Sequence, residues 1–285
     1  MNRYIFTVTA GRSGQNTLTS LVESYVTSSH VACEDPKIHY MFKGFLSDIE
    51  RRFRRKFIET HEMLGRGKVL TSFMKGDVNY IEAIAGKRVD IINRNMIDKN
   101  NNIYIDISKF FARGLHMGFQ RILPKISLIH LVRDPIMNMH SFLNRNKNFF
   151  LDNGLPSSSK NLLILDHKNM EKSDLYLWAW CEMALRYEKM KEWECVDKYV
   201  EIHTSKLNDP AYISKCFDSL DLPHKKVQEN SIRLNTNIES GYKKTRVTKS
   251  DIDRFEKFID RVPVDVLDKI SYLQSYDPYD IYRDL

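Results

Sequence analysis

Residues 4 to 25 run strand, glycine turn, helix, and that order restricts the fold more than any other stretch of the chain. Tyr4–Thr9 (YIFTVT) alternates and is rich in β-branched and aromatic residues, the pattern of a strand. Ala10–Gly14 follows with two glycines. From Asn16 the apolar residues Leu18, Leu21, Val22 and Tyr25 fall at helical spacing.

The same alternation continues. Ile103–Ile107 (IYIDI), Ser127–Val132 (SLIHLV) and Tyr199–His203 (YVEIH) read as further strands. Helical patterns cover about 39–64, 77–96, 111–123, the stretch after Pro135, 173–193, 210–220, 250–261 and 264–273. Asn153 to Lys160 and 223 to 247 read as loops. Strands separated by helices demand crossover connections, so the expected class is α/β. The expectation is one P-loop-like domain over 1–285, with a central parallel sheet of about four or five strands covered by helices on both faces. A chain of 285 residues is long enough for such a core.

In a doubly wound sheet, ligands bind at the C-terminal ends of the strands. Two strand ends carry the residues for an anion. The first is Thr9-Ala10-Gly11-Arg12-Ser13-Gly14-Gln15-Asn16-Thr17. Its glycines let backbone N–H groups converge, and the helix N-terminus behind them adds about half a positive charge. This is not a Walker A loop, because no Gly-Lys-Ser/Thr closes it and Asn16 stands five positions after Gly11. Arg12 supplies the cation. The second is Arg133-Asp134-Pro135, with Ser141 eight residues after the arginine. Arginine grips phosphate-type oxygens bidentately, and proline suits the first position of a helix. Each turn alone is a common βα junction. The pair fits a ligand with two phosphate-like groups, and an excess of 44 Lys and Arg over 37 Asp and Glu, net +7, suits an anion. So modest an excess is no argument for nucleic acid, and none is expected as a partner.

The two turns together resemble the sulfotransferases that use PAPS (3'-phosphoadenosine 5'-phosphosulfate). The family's 5'-phosphosulfate loop is similar to 9–17 here, and its 3'-phosphate motif to 128–141 (Leu128 to Pro135, then Ser141). Looser similarity extends to Tyr176-Leu177-Trp178 and to Tyr199–Pro210, so that residues 4–224 are covered. The resemblance implies that Arg12, Ser13, Gly14, Gln15, Asn16 and Thr17 hold the phosphosulfate, chiefly through backbone. Arg133 and Ser141 would hold the 3'-phosphate. PAPS would be the donor and 3',5'-ADP the product, with no metal required. Gln15 and Asn16 stand where the family usually has hydroxyl residues. Thr17 replaces an aromatic of many small-molecule members, which favours the carbohydrate, tyrosyl-protein and bacterial branches.

Sulfuryl transfer needs in-line positioning, stabilised charge on the leaving oxygen and a base for the acceptor hydroxyl. Arg12 suits the second task. Glu34, 22 residues after Arg12, is the expected base by resemblance to those branches; Asp35 and Asp106 are the alternatives. The acceptor is expected to be a hydroxyl-bearing carbohydrate or glycolipid. Two other functions remain open, a kinase with a variant phosphate loop and a non-catalytic anion-binding module.

Other features point less directly. Cys33, Cys181, Cys195 and Cys216 form no Cys-x-x-Cys pair, and no His-Glu-x-x-His occurs, so no metal site is expected. Met1–Ala10 enters a strand without a signal-type apolar core, and together with the scattered cysteines this leads to a cytoplasmic expectation. Arg51, Arg52, Arg54, Arg55 and Lys56 read as a solvated helix face and are compatible with contact to membrane headgroups. Trp178, Trp180, Tyr187 and Trp193 read as core rather than a sugar platform. The basic stretch Gly241–Arg246, in the C-terminal segment 223–285, is either a solvated loop or a cover for the nucleotide.

Overall fold

The computed structural model describes residues 2–33, 64–144, 149–228 and 246–283, with the isolated positions 46, 49 and 53. β1 (Arg3–Val8) leads through the glycine turn into α1 (Gln15–Tyr25), and β2 (Ser29–Ala32) follows. Next come α2 (Lys68–Lys75), α3 (Val78–Asp98) and β3 (Ile103–Asp106). A 3-10 turn (Phe111–Arg113) and α4 (His116–Ile122) lead to β4 (Ile126–Val132). The chain continues through α5 (Pro135–Leu143), the single turn α6 (Phe150–Asn153), the long α7 (Lys172–Met190) and β5 (Val196–His203). A 3-10 turn (Thr204–Lys206), α8 (Pro210–Ser219), α9 (Lys249–Ile259), α10 (Val264–Leu267), a 3-10 turn (Ser271–Leu273) and α11 (Pro278–Ile281) complete the described chain.

The five strands form one parallel sheet in the order β2-β3-β1-β4-β5. Alternate residues of the central strands feed two separate cores. Phe6, Val8, Leu128 and Val132 join the core under α3, α4, α7 and α9. Ile5, Ile129 and Leu131 join the core under α1 and α8. That double burial explains why β4 is apolar almost throughout instead of alternating. Phe6 anchors the larger core by stacking on Phe111 at 4.4 Å with a 6° interplanar angle.

Several elements depart from the sequence expectation. The strand β2 is not predicted, because four residues beginning Ser-His carry too little apolar signal; pairing with β3 forms it (Ser29 beside Ile103, Ala32 beside Asp106). The helix expected over 111–123 is interrupted. Gly114 takes φ +158°, and a Cβ there would lie 3.1 Å from Val69 Cγ1 and 3.3 Å from the Val69 carbonyl, so the chain bends as it passes close under α2. The helix expected over 264–273 splits into α10 and the 3-10 turn at Ser271–Leu273. The loop expected from Asn153 is preceded by the single-turn helix α6. The helix expected over 39–64 lies almost wholly outside the described residues. So do the Arg51–Lys56 cluster and all of Gly241–Arg246 except Arg246.

Candidate anion site at the strand ends

All five strands end at one edge of the sheet, and each end brings a residue to the candidate site: Gly11 after β1, Cys33 after β2, Lys109 after β3, Arg133 after β4 and Thr204 after β5. The glycine turn is built from unusual backbone. Gly11, Arg12 and Gly14 have φ of +92°, +60° and +83°. Glycine takes such angles freely, but Arg12 does so at a cost of roughly 1 kcal/mol. The surroundings hold it there. Asn138, fully buried on α5, donates from Nδ2 to Gly11 O at 2.9 Å and to Ser13 Oγ at 3.1 Å. Ser13 Oγ donates in turn to Gly11 O at 3.2 Å. Thr204 Oγ1 lies 2.7 Å from Ser13 O and 2.9 Å from Val132 O, so one hydroxyl ties the first turn to the end of β4. Arg113, also buried, donates from Nη2 to Ala10 O at 2.7 Å.

The two sequence-predicted turns meet. Arg133 Nη1 donates to Arg12 O at 3.0 Å, and Arg12 Nε donates to Ser141 Oγ at 3.3 Å. Burial lowers the pKa of the Arg133 guanidinium, an effect countered by Asp134 and Tyr282, and arginine keeps its charge regardless. The N-terminus of α1 has no side-chain cap and no acidic residue in its first turn. Its first-turn N–H groups have no partners within the helix, as at any helix start, so their polarity is turned toward the cleft. Ser13 is buried, with its hydroxyl turned inward, so any contact it makes to a ligand is through its backbone. Gln15 and Asn16 line the cleft, and Thr17 lies one residue deeper in the helix.

The cleft, about 280 Å³, runs from Gly11 and Arg12 past Cys33 to Arg66, Lys109 and Asp152. Asp152 pairs with Arg66 at 2.6 Å and Lys109 at 3.0 Å, while Arg113 Nη1 donates to its carbonyl at 2.9 Å. Burial opposes ionisation of Asp152, but Lys109, Arg66 and Arg113 together hold its carboxyl well below the usual carboxylate range. The same three cations surround the Phe110 ring at 5.1, 4.8 and 5.6 Å from its centroid for Arg66, Lys109 and Arg113. Phe142 stacks on Tyr176 at 4.2 Å and, with Phe149, forms an aromatic wall. A second cavity of about 410 Å³ is lined by residues including Glu201, His203, Tyr272 and Tyr276, and Tyr276 links it to the Arg133 turn through its hydrogen bond to Asp134.

Glu34 and Asp35 lie outside the described residues, but Cys33, which immediately precedes Glu34, is on the cleft wall. Asp106 is placed where it is no base: it is 2% exposed and ion-paired with Arg88, under the sheet edge. Trp178, Trp180 and Tyr187 are buried, and Trp178 Nε1 donates to Leu163 O at 2.8 Å, as core residues do. Sequence reasoning missed Arg66, Lys109, Arg113, Asn138 and Asp152. Lys109 alone had a signal, since it follows a strand end in the same way as Arg12 and Arg133. Among the described residues, no three His, Cys, Asp or Glu side chains are grouped to hold a metal ion, and no helix is long and apolar enough to cross a membrane.

No protein-family model and no curated protein sequence matches the chain. Among solved structures it is similar to the sulfotransferase domain of the Synechococcus PCC 7002 olefin synthase, at a TM-score of 0.43 and 13% identity over 92% of this chain and 96% of that one. A likeness that shallow leaves the chemistry of the site to its own residues.

Proposed function

We propose that this protein is a sulfotransferase that moves a sulfuryl group from PAPS to a hydroxyl of a carbohydrate or glycolipid acceptor. The observation that carries the reading is the meeting of two anion-binding turns, Arg12 with Ser141 and Arg133 with the Arg12 carbonyl, at neighbouring strand ends. The glycine turn and the N-terminus of α1 take the 5'-phosphosulfate, and Arg133 with Ser141 takes the 3'-phosphate. The second cavity offers Tyr272 and His203 to the nucleoside. The half-buried Phe142 ring on the cleft wall, backed by Tyr176, suits the flat face of a sugar ring. On this reading the protein is cytoplasmic, a compartment that keeps thiols reduced.

In the transfer, the acceptor oxygen bonds to sulfur as the bond to the 5'-phosphate oxygen breaks, and the hydroxyl proton passes to a carboxylate. Arg12 and Lys109, both on the cleft wall, are the proposed stabilisers of charge on the leaving oxygen, and losing such a donor typically costs about 100- to 1000-fold in rate. Glu34 is the proposed base. Among the described carboxylates of the cleft, Asp152 is held too acidic by its three cations to accept a proton efficiently near neutrality.

Calorimetric titration with 3',5'-ADP against 5'-AMP tests the donor site. The 3'-phosphate should gain at least tenfold in affinity, about 1.4 kcal/mol. Tighter binding of Mg-ATP than of either would shift the reading to a kinase. Salt-steep binding of polyanions without nucleotide affinity would shift it to a non-catalytic binding module. Glu34→Gln should leave 3',5'-ADP affinity intact and slow turnover by roughly 100- to 10,000-fold; unchanged turnover removes Glu34 as the base.

A further inference from the structure

We propose that Tyr276 and Tyr282 are positioning residues for the Arg133 anion grip, holding both oxygens of Asp134 so that the neighbouring guanidinium is left for the ligand. The inference rests on the reading of Arg133 as the 3'-phosphate residue.

An arginine followed by an aspartate has a ready partner next door, and a guanidinium engaged by a carboxylate is a poorer phosphate ligand. Here the aspartate is occupied elsewhere. Asp134 Oδ1 accepts from the Met137 backbone N–H at 2.7 Å, capping α5, and from Tyr282 OH at 2.7 Å. Asp134 Oδ2 accepts from Tyr276 OH at 2.7 Å. Arg133 turns its Nη1 to the Arg12 carbonyl instead. Burial, reinforced by Asp134 itself, pushes both tyrosine pKa values far above the usual phenol range, so the hydroxyls stay protonated donors at any working pH.

The C-terminal segment that presents these tyrosines is itself docked on the Arg133 turn. Trp180 Nε1 donates to the Arg133 carbonyl at 2.8 Å, and the Trp180 ring meets Tyr272 edge-on at 5.5 Å. Tyr276 in turn packs on Phe255 of α9 at 5.4 Å. The main chain of Arg133 and the side chain of Asp134 are thus both fixed from outside their own helix. Tyr276 and Tyr282 are 142 and 148 residues away from Asp134 in sequence.

The double variant Tyr276→Phe/Tyr282→Phe keeps both rings and removes only the hydroxyls. Full-length wild-type and variant proteins are titrated with 3',5'-ADP and 5'-AMP by calorimetry, with urea melts alongside. The expected result is that the preference for 3',5'-ADP falls from at least tenfold to below threefold, while 5'-AMP affinity stays within twofold. A merely structural role would shift the melt and weaken both nucleotides together, leaving the preference unchanged; that outcome overturns the proposal. A wild-type protein without the preference refutes the 3'-phosphate reading itself and removes the basis of the positioning role. If the double variant is too unstable to titrate, Tyr282→Phe alone is used, and an unchanged preference there counts equally against the proposal.

Discussion

Asn138 holds the glycine turn from the neighbouring helix, and its replacement by alanine measures how much of the turn's shape is imposed from outside. Its Nδ2 makes two hydrogen bonds, to Gly11 O and Ser13 Oγ, at a fully buried site. At about 1 kcal/mol for each, plus the cost of leaving a buried carbonyl and hydroxyl underbonded, the loss comes to roughly 3 kcal/mol. One term runs the other way. Asn138 Oδ1 has no hydrogen-bond partner among the described residues, so the variant also removes a poorly satisfied acceptor, an offset of about 1 kcal/mol. The expected net destabilisation is therefore about 2 kcal/mol. Urea unfolding at neutral pH reads it as a lower midpoint with an unchanged slope. Because Arg12 is held at φ +60° by this surrounding, 3',5'-ADP affinity should fall about tenfold as well. A destabilisation below about 0.5 kcal/mol with unchanged affinity would show that the turn keeps its shape without Asn138, and the argument would be wrong.

Gly14→Ala should destabilise by about 1–2 kcal/mol in the same urea assay, since the residue sits at φ +83° and a Cβ would lie 2.8 Å from Leu207 Cδ1. His116 is buried, which chiefly with the Arg186 charge lowers its pKa to about 3. The unfolded chain takes up this proton near pH 6.5 and the folded one does not, so stability present above that pH is lost as pH falls toward about 3. His116→Phe should remove about one proton from the slope of stability against pH between about 6.5 and 5, and an unchanged slope would rule His116 out as its source. Glu182→Ala should cost about 3–5 kcal/mol by thermal or urea melting. It strips buried Arg186 of its carboxylate at 2.7 Å, and the Leu162 and Leu163 N–H groups of their acceptor.

The legible parts of the fold were those with local cause. β1, β3, β4 and most of β5 declare themselves by β-branched and aromatic runs, and α1, α3, α7 and α8 by apolar spacing. β2 did not, because an edge strand of four residues exists through its pairing with β3. The helix over 111–123 was misread because its break at Gly114 is set by the approach of Val69, some 45 residues earlier in the chain and invisible to any local pattern. In the site, Arg12 and Arg133 were legible because a strand end followed by a basic turn is a short-range signature. Asn138 and Asp152 look in sequence like any helix residue and any loop acid.

The sequence by itself determined that this chain forms a parallel sheet with basic turns at two of its strand ends, since periodicity and turn chemistry act over a few residues. Only the tertiary structure decided which groups converge there. It set Ser141 on Arg12, surrounded Asp152 with three cations, withdrew Asp106 into an ion pair with Arg88, and placed two C-terminal tyrosines on Asp134. The physical reason is that a side chain's charge and hydrogen-bonding capacity are local properties. Whether they are spent on the protein or left for a ligand depends on neighbours that folding brings from 18 to 148 residues away.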